Sequence, residues 1–232
     1  MKLAIASLLS LVNLAAQSPN LSARDLFFTP TPVSASAAGT PSVSPPANPT
    51  GLRYSLLKTQ EDGTEAEVKT DSVFRSGDRI RLTVETNQNG FLYVIHQGSS
   101  GDWFVLEGSP VPMERGKRSD VPSAGRFRFD DHAGEERLFL VFLRNRDANL
   151  DRILQGLPPE TSTVAKPVQG TRSNRSVDPM LMSSLSLQSR DLVFERVDDP
   201  PSKPKAEKAA YVVNPGTTGD SKVVVDLRLM HR

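Results

Sequence analysis

In RIRLTVET (79–86), Ile80, Leu82 and Val84 fall on one side of an extended chain, and Arg79, Arg81, Thr83 and Glu85 on the other. That alternation predicts an antiparallel strand with one buried and one wet face. The next run, FLYVIH (91–96), differs: Phe91, Tyr93 and Ile95 share one face, Leu92, Val94 and His96 the other. Both faces are largely apolar, so this strand is expected to be central and covered on both sides, or at a sheet edge that something packs over. RLFLVFLRN (137–145) has the same two-sided character. Between the first two runs stands Asn89-Gly90, the strongest short hairpin signal. Gln97–Asp102 reads as a second turn and Trp103–Leu106 as the returning strand.

Further strand patterns are LRYSLL (52–57), GRFRFD (125–130), DLVFERV (191–197), AAYVVN (209–214) and KVVVDLRL (222–229). In the last, Val223, Val225, Leu227 and Leu229 face inward, and Asp226 and Arg228 outward. Residues 61–78 read as a polar connection with turns at Asp62-Gly63 and Ser76-Gly77-Asp78. Residues 107–125 read as irregular, because Pro110, Pro112 and Pro122 lack the N–H a ladder needs. One helix is predicted over ANLDRILQGL (148–157), capped by Asp147 and closed by Pro158. Its apolar side holds Leu150, Ile153, Leu154 and Leu157. Residues 158–190 are rich in Ser, Thr, Pro and Gln, with Met180–Met182 and Leu185–Leu187 the apolar exceptions. They read as a long, mostly mobile insertion. Eight or so short strands and one short helix predict an all-β domain over 51–232, an antiparallel β-sandwich or a partly open barrel.

The first residues, MKLAIASLLSLVNLAAQS (1–18), pair Lys2 with a short apolar stretch and then small residues, the pattern of a secretory signal peptide. Export places the mature chain in the periplasm or outside the cell. No later run is apolar and long enough to span a bilayer as a helix. Residues 19–50, rich in Pro, Ser and Ala, read as a flexible arm. Phe27 and Phe28 are unusual in such an arm. They dock on the domain, dock on a partner, or form a small patch with no specific role.

Composition then removes whole classes of function. Cysteine is absent, and with it disulfides, thiolate metal sites, iron–sulfur clusters and thiol nucleophiles. Lys and Arg number 28 against 27 Asp and Glu, so no basic footprint for nucleic acid is visible. The group Arg115, Lys117 and Arg118 reads as a solvated loop in a nearly neutral chain. Phosphate-binding and dinucleotide glycine motifs are missing, as is a Gly-x-Ser-x-Gly elbow. No cofactor or metal is therefore expected.

The stretch from Gly51 onward resembles the bacterial family described as domain of unknown function 4384. The likeness rests on LRYSLLK, on VFRSGDRIRLTVETNQNGFLYVIHQGSSGDW (73–103), on the 121–131 run, and on GEERLFLVFLR (134–144). SRDLVFERV (189–197), YVVNP (211–215) and the closing VVVDLRLMHR carry the rest. Two departures are Leu106-Glu107-Gly108, where the family has Leu-Phe-Pro, and Ser119-Asp120, where an aromatic is common. The resemblance implies an all-β module outside the cytoplasm and brings no catalytic motif with it.

Three candidate sites remain. Tyr93, His96 and Trp103 lie near one turn and could together frame a ligand, a sugar face or a partner. The simpler reading makes Trp103 core and His96 a sheet-end residue. Asp130, Asp131, His132, Glu135 and Glu136 crowd one loop, but their spacing fits no calcium loop, and a solvated turn is the favoured reading. A two-carboxylate glycosidase would need an acid inside an apolar run. Glu107 and Asp226 are the nearest to that, and both read as outward-facing. The expected function is thus a non-catalytic envelope module for protein–protein interaction or scaffolding. A carbohydrate or cell-wall binding domain is the alternative, and a hydrolase with an unfamiliar site is a third reading.

Overall fold

A computed structural model describes residues 21–29, 48–99, 101, 103–106, 109–154, 182, 183, 185, 187, 191–204, 206–216 and 221–232. The expected signal peptide, most of the arm and most of the 158–190 insertion lie outside these residues.

The fold is an antiparallel β-sandwich. One sheet runs β11 (Val193–Asp198), β12 (Lys208–Asn214), β1 (Thr50–Thr59), β4 (Arg79–Thr86) and β8 (Ser119–Val121). In it, β2 (Glu65–Val68) also pairs with β1, and β9 (Phe127–Arg128) with β4. The other sheet runs β3 (Val73–Phe74), β13 (Lys222–His231), β10 (Gly134–Leu143), β5 (Gly90–Gln97) and β6 (Trp103–Val105), with β7 (Val111–Met113) also on β5.

The alternation accounts for the layers. Leu52, Tyr54, Leu56, Ile80, Leu82 and Val84 of the first sheet meet Leu92, Val94, Leu138, Leu140, Phe142 and the odd-numbered β13 residues in the central core. The opposite faces of β5 and β10 (Tyr93, Ile95, Phe139, Val141) form a second cluster with Leu150 and Leu154 of α2 (Ala148–Leu154). Asp147 caps α2 as expected, accepting from the N–H groups of Asn149 and Leu150 at 2.9 and 3.0 Å. Met182 and Leu185 of the predicted insertion also pack there, in helical conformation.

A third cluster lies on the outside of the first sheet. Residues 23–28, expected within the flexible arm, form helix α1 (Ala23–Phe28) with a Ser22/Asp25 capping box. Ala23 and Phe27 are buried against Ala209, Tyr211 and Val213, and the Phe27 and Tyr211 rings meet edge-on at 5.4 Å. Phe27 therefore docks on the domain.

Two local expectations are corrected. The connections 61–78 and 107–125 contain short strands (β2, β3, β7 and β8), whose partners are mostly distant in sequence. The Asn89-Gly90 turn does not close a hairpin, since β4 and β5 belong to different sheets. Gly90 serves close approach instead. A Cβ there would lie 2.2 Å from the Leu143 carbonyl oxygen and 2.7 Å from the Phe142 ring. By contrast, Asp62-Gly63 does close the β1–β2 hairpin, with Gly63 at φ +82°.

Candidate functional site

The sheet geometry separates the three predicted site residues. Tyr93 and Trp103 face outward into the cluster under α2, while His96 faces inward with Leu92 and Val94. Trp103 is 5% exposed and packs edge-on against Phe139 at 5.2 Å. The Arg137 guanidinium lies over its ring at 5.4 Å and is held in a fork by Asp226 at 2.5 and 3.0 Å. The Tyr93 hydroxyl donates to Asp151 of α2 at 2.7 Å, and burial with that bond pushes its phenol up to about 12. These are packing roles, and the three residues share no stacking platform.

His96 joins a different group. Its Nε2 lies 2.9 Å from Glu136 Oε2, and His231 Nδ1 lies 3.9 Å from Glu136 Oε1. The inward alternation of β5, β10 and β13 places all three on one face, at the end of the central core. Continuing the Leu138, Leu140, Phe142 series back by two reaches Glu136, and extending Leu227, Leu229 reaches His231. The same alternation in the sequence marks Glu136 and His231, rather than Glu107 or Asp226, as inward-facing titratable groups. His231 donates through Nε2 to the Asp130 carbonyl oxygen (3.1 Å), and its ring packs 5.3 Å from Phe129. Its side chain is 1% exposed, and Glu136 is buried. The group closes the end of the core. Among the described residues no three His, Asp or Glu groups converge on a point where a metal ion would sit. Asp130 and His132 of the acidic loop are exposed, as a solvated turn requires, and the backbone N–H of His132 helps hold the Asp130 carboxyl below the usual range.

The surface feature with binding geometry lies on the side of the sandwich where β11 ends the first sheet and the second narrows from β13 to the two-residue β3. A groove of about 420 Å³ opens there. Its floor is Tyr54, Val212, Val225 and Leu227, its walls carry Leu192, Phe194 and Met230, and Thr70–Ser72 closes one end. β13 stacks over β12 and β1. The first sheet continues past β12 to β11, whereas beyond β13 the second sheet has, among the described residues, only the two-residue β3. Register pairs Phe194 with Val212 and Arg196 with Ala210, whose side chains face the core. Phe194 therefore points inward yet is 48% exposed, and Met230 beside it is 47% exposed.

The edge of β13 is open as well. β10 pairs with it from Lys222 to His231, whereas β3 reaches only Met230 and His231 on the other side. Among the described residues no strand pairs with Val223–Leu229 on that second edge. The far side of the sandwich is different. There β7 and β8 cross from one sheet to the other, and Thr86 bridges to Arg115. Tyr54 sits under the groove, its phenol raised by burial and lowered in part by Arg196. Arg196 meets Asp71 at 3.3 Å, and Arg228 has carboxylates only at 3.9 and 4.0 Å. No sequence signal marks this groove, because it arises where the six-residue β11 and the two-residue β3, far apart in the chain, end the two sheets unequally.

No described helix is long and apolar enough to cross a membrane. In comparisons with protein-family models, curated proteins and solved structures, no match to the chain was found.

Proposed function

We propose that this chain is a non-catalytic exported envelope module that binds another protein through the open side of its sandwich. The observation that carries this reading is the inward-facing but half-exposed Phe194 above an unpaired sheet edge. Apolar surface concentrated in a groove, beside backbone groups with no partner strand, is how sheet proteins receive peptides. The signal-like residues 1–18 and the Pro/Ser-rich arm fit a domain exported on a tether. The burial of Tyr93 and Trp103, on which a carbohydrate platform would depend, in the cluster under α2 favours this reading over that alternative.

A photo-crosslinking amino acid placed at position 194 in cells tests this. A discrete adduct with one envelope protein is expected from position 194, and none from position 114 on the exposed β7–β8 connection. Equal labelling from both positions, or no adduct from position 194 in several growth states, would contradict the reading.

A further inference from the structure

Building on that protein-binding reading, we propose that the partner enters as a single extended strand. It pairs with the free edge of β13 and carries carboxylates among alternating apolar side chains. Three observations lead there.

The first is the missing strand. Beyond β13 the second sheet has, among the described residues, only the two-residue β3, so a strand added along Val223–Leu229 would fall on the side of β11 and cover Phe194. Its inward side chains would meet Phe194, Leu192 and Leu227, completing the central core. The free edge Val223–Leu229 is about 23 Å long at roughly 3.3 Å per residue, enough for a segment of seven or eight residues.

The second is the edge itself. β13 is ten residues long and contains no proline. Natural sheets blunt such edges or cover them, because unpaired N–H and C=O groups recruit strands. Here Asp226 and Arg228 lie on the outer face, so they leave the edge accessible from the groove.

The third is charge. The Arg228 side chain is 62% exposed, and neither carboxylate near it is within hydrogen-bond distance. Asp226 is already held by both arms of the Arg137 fork. Arg196, 53% exposed, stands at the mouth with one bond to Asp71. A partner carboxylate beside Arg228 or Arg196 completes these donors.

The test is a displayed library of random twelve-residue peptides selected on the full mature chain. Enriched sequences are expected to alternate apolar residues with period two and to carry Asp or Glu at intervening positions. In the tightest synthetic peptide, N-methylation at alternate positions should weaken binding at least about tenfold for one parity and leave the other unchanged. Only every second N–H of an added strand faces β13. Arg228→Glu should weaken the same peptide about tenfold, and Phe194→Asp should abolish binding while Trp103 emission stays native. A helical or proline-rich consensus, N-methyl effects without parity, no enrichment, or dimerisation through β13 would each overturn the strand. Crosslinking at position 194 reports on the protein-binding reading separately, and an adduct there survives any of these failures.

Discussion

Gly90→Ala separates two accounts of the β4–β5 turn. In a hairpin, a glycine here would supply a left-handed turn conformation, and Asn or Ala would cost about 1 kcal/mol or less. In the sandwich, Gly90 lies flat against β10. An added Cβ would sit 2.2 Å from Leu143 O and 2.7 and 2.9 Å from the Phe142 ring carbons. Ordinary carbon contacts need roughly 3.5 Å, so the end of the β5–β10 ladder must open by about 1 Å. Phe142 is fully buried and has little room to retreat. Overpacking of this kind costs about 1–3 kcal/mol, and losing one ladder hydrogen bond adds about 1 kcal/mol. The gain from a stiffer unfolded chain returns about 0.5–1 kcal/mol. The net expectation is a loss of about 2–3 kcal/mol, or a Tm lower by roughly 4–12 °C for a domain of this size. Urea denaturation followed by the single tryptophan measures it. Gly63→Ala is the control: Gly63 has φ +82° with nothing within 4 Å of its missing Cβ, and its cost should stay near 1 kcal/mol. A Gly90→Ala protein within about 0.5 kcal/mol of wild type would refute the close-approach account.

Other outcomes follow from the same packing. Trp103 emission should be blue-shifted, weakly quenched by acrylamide and unmoved by glycan fragments; a glycan-dependent shift would restore the carbohydrate reading. Phe27→Ala should free α1 without unfolding the sheets, at a cost of about 2 kcal/mol. Limited trypsin digestion should then cut at Arg24, and unchanged resistance there would contradict docking. Glu207→Gln should destabilise the fold by about 3 kcal/mol, because it strips the partner from Arg53, which is 2% exposed and bonded to Glu207 at 2.5 Å. Burial pushes the Glu207 carboxyl up, but the bonds from Arg53 and Tyr211 outweigh it and hold it below the ordinary 4.5. A depressed acid stabilises the fold above its unfolded value and loses that contribution as the pH falls through the folded one. The wild-type acid limb below pH 4.5 should therefore flatten in Glu207→Gln, and an unchanged limb would remove Glu207 from the account.

Local alternation made much of this fold legible. The bounds of β4 coincide with the 79–86 pattern, and the two-sided apolarity of β5 and β10 matches their cover on both faces, while their place in the middle of a sheet rather than at its edge came from the pairing. Alternation does not say which sheet a strand joins. Asn89-Gly90 therefore looks like a hairpin, although Gly90 answers to Phe142 and Leu143, 52 and 53 residues away. β8 is too short to show a period and exists because β4 offers it an edge, whereas the GRFRFD alternation did mark β9, of which only Phe127–Arg128 pairs with β4. Arg53 falls on the face that alternation marks as wet, yet Glu207 and Tyr211 enclose it. The groove was least visible of all: Phe194 and Met230 are ordinary strand residues until the widths of two sheets are compared.

Residue-resolved amide exchange along β13 tests the binding surface most directly. The account predicts alternation in the isolated chain, with amides facing β10 slow and those facing the groove between Val223 and Leu229 fast, and the fast set becoming slow when the crosslinked partner or a selected peptide is added. Uniform slow exchange along β13 in the isolated chain, or partner-induced protection elsewhere with this edge unchanged, would contradict it.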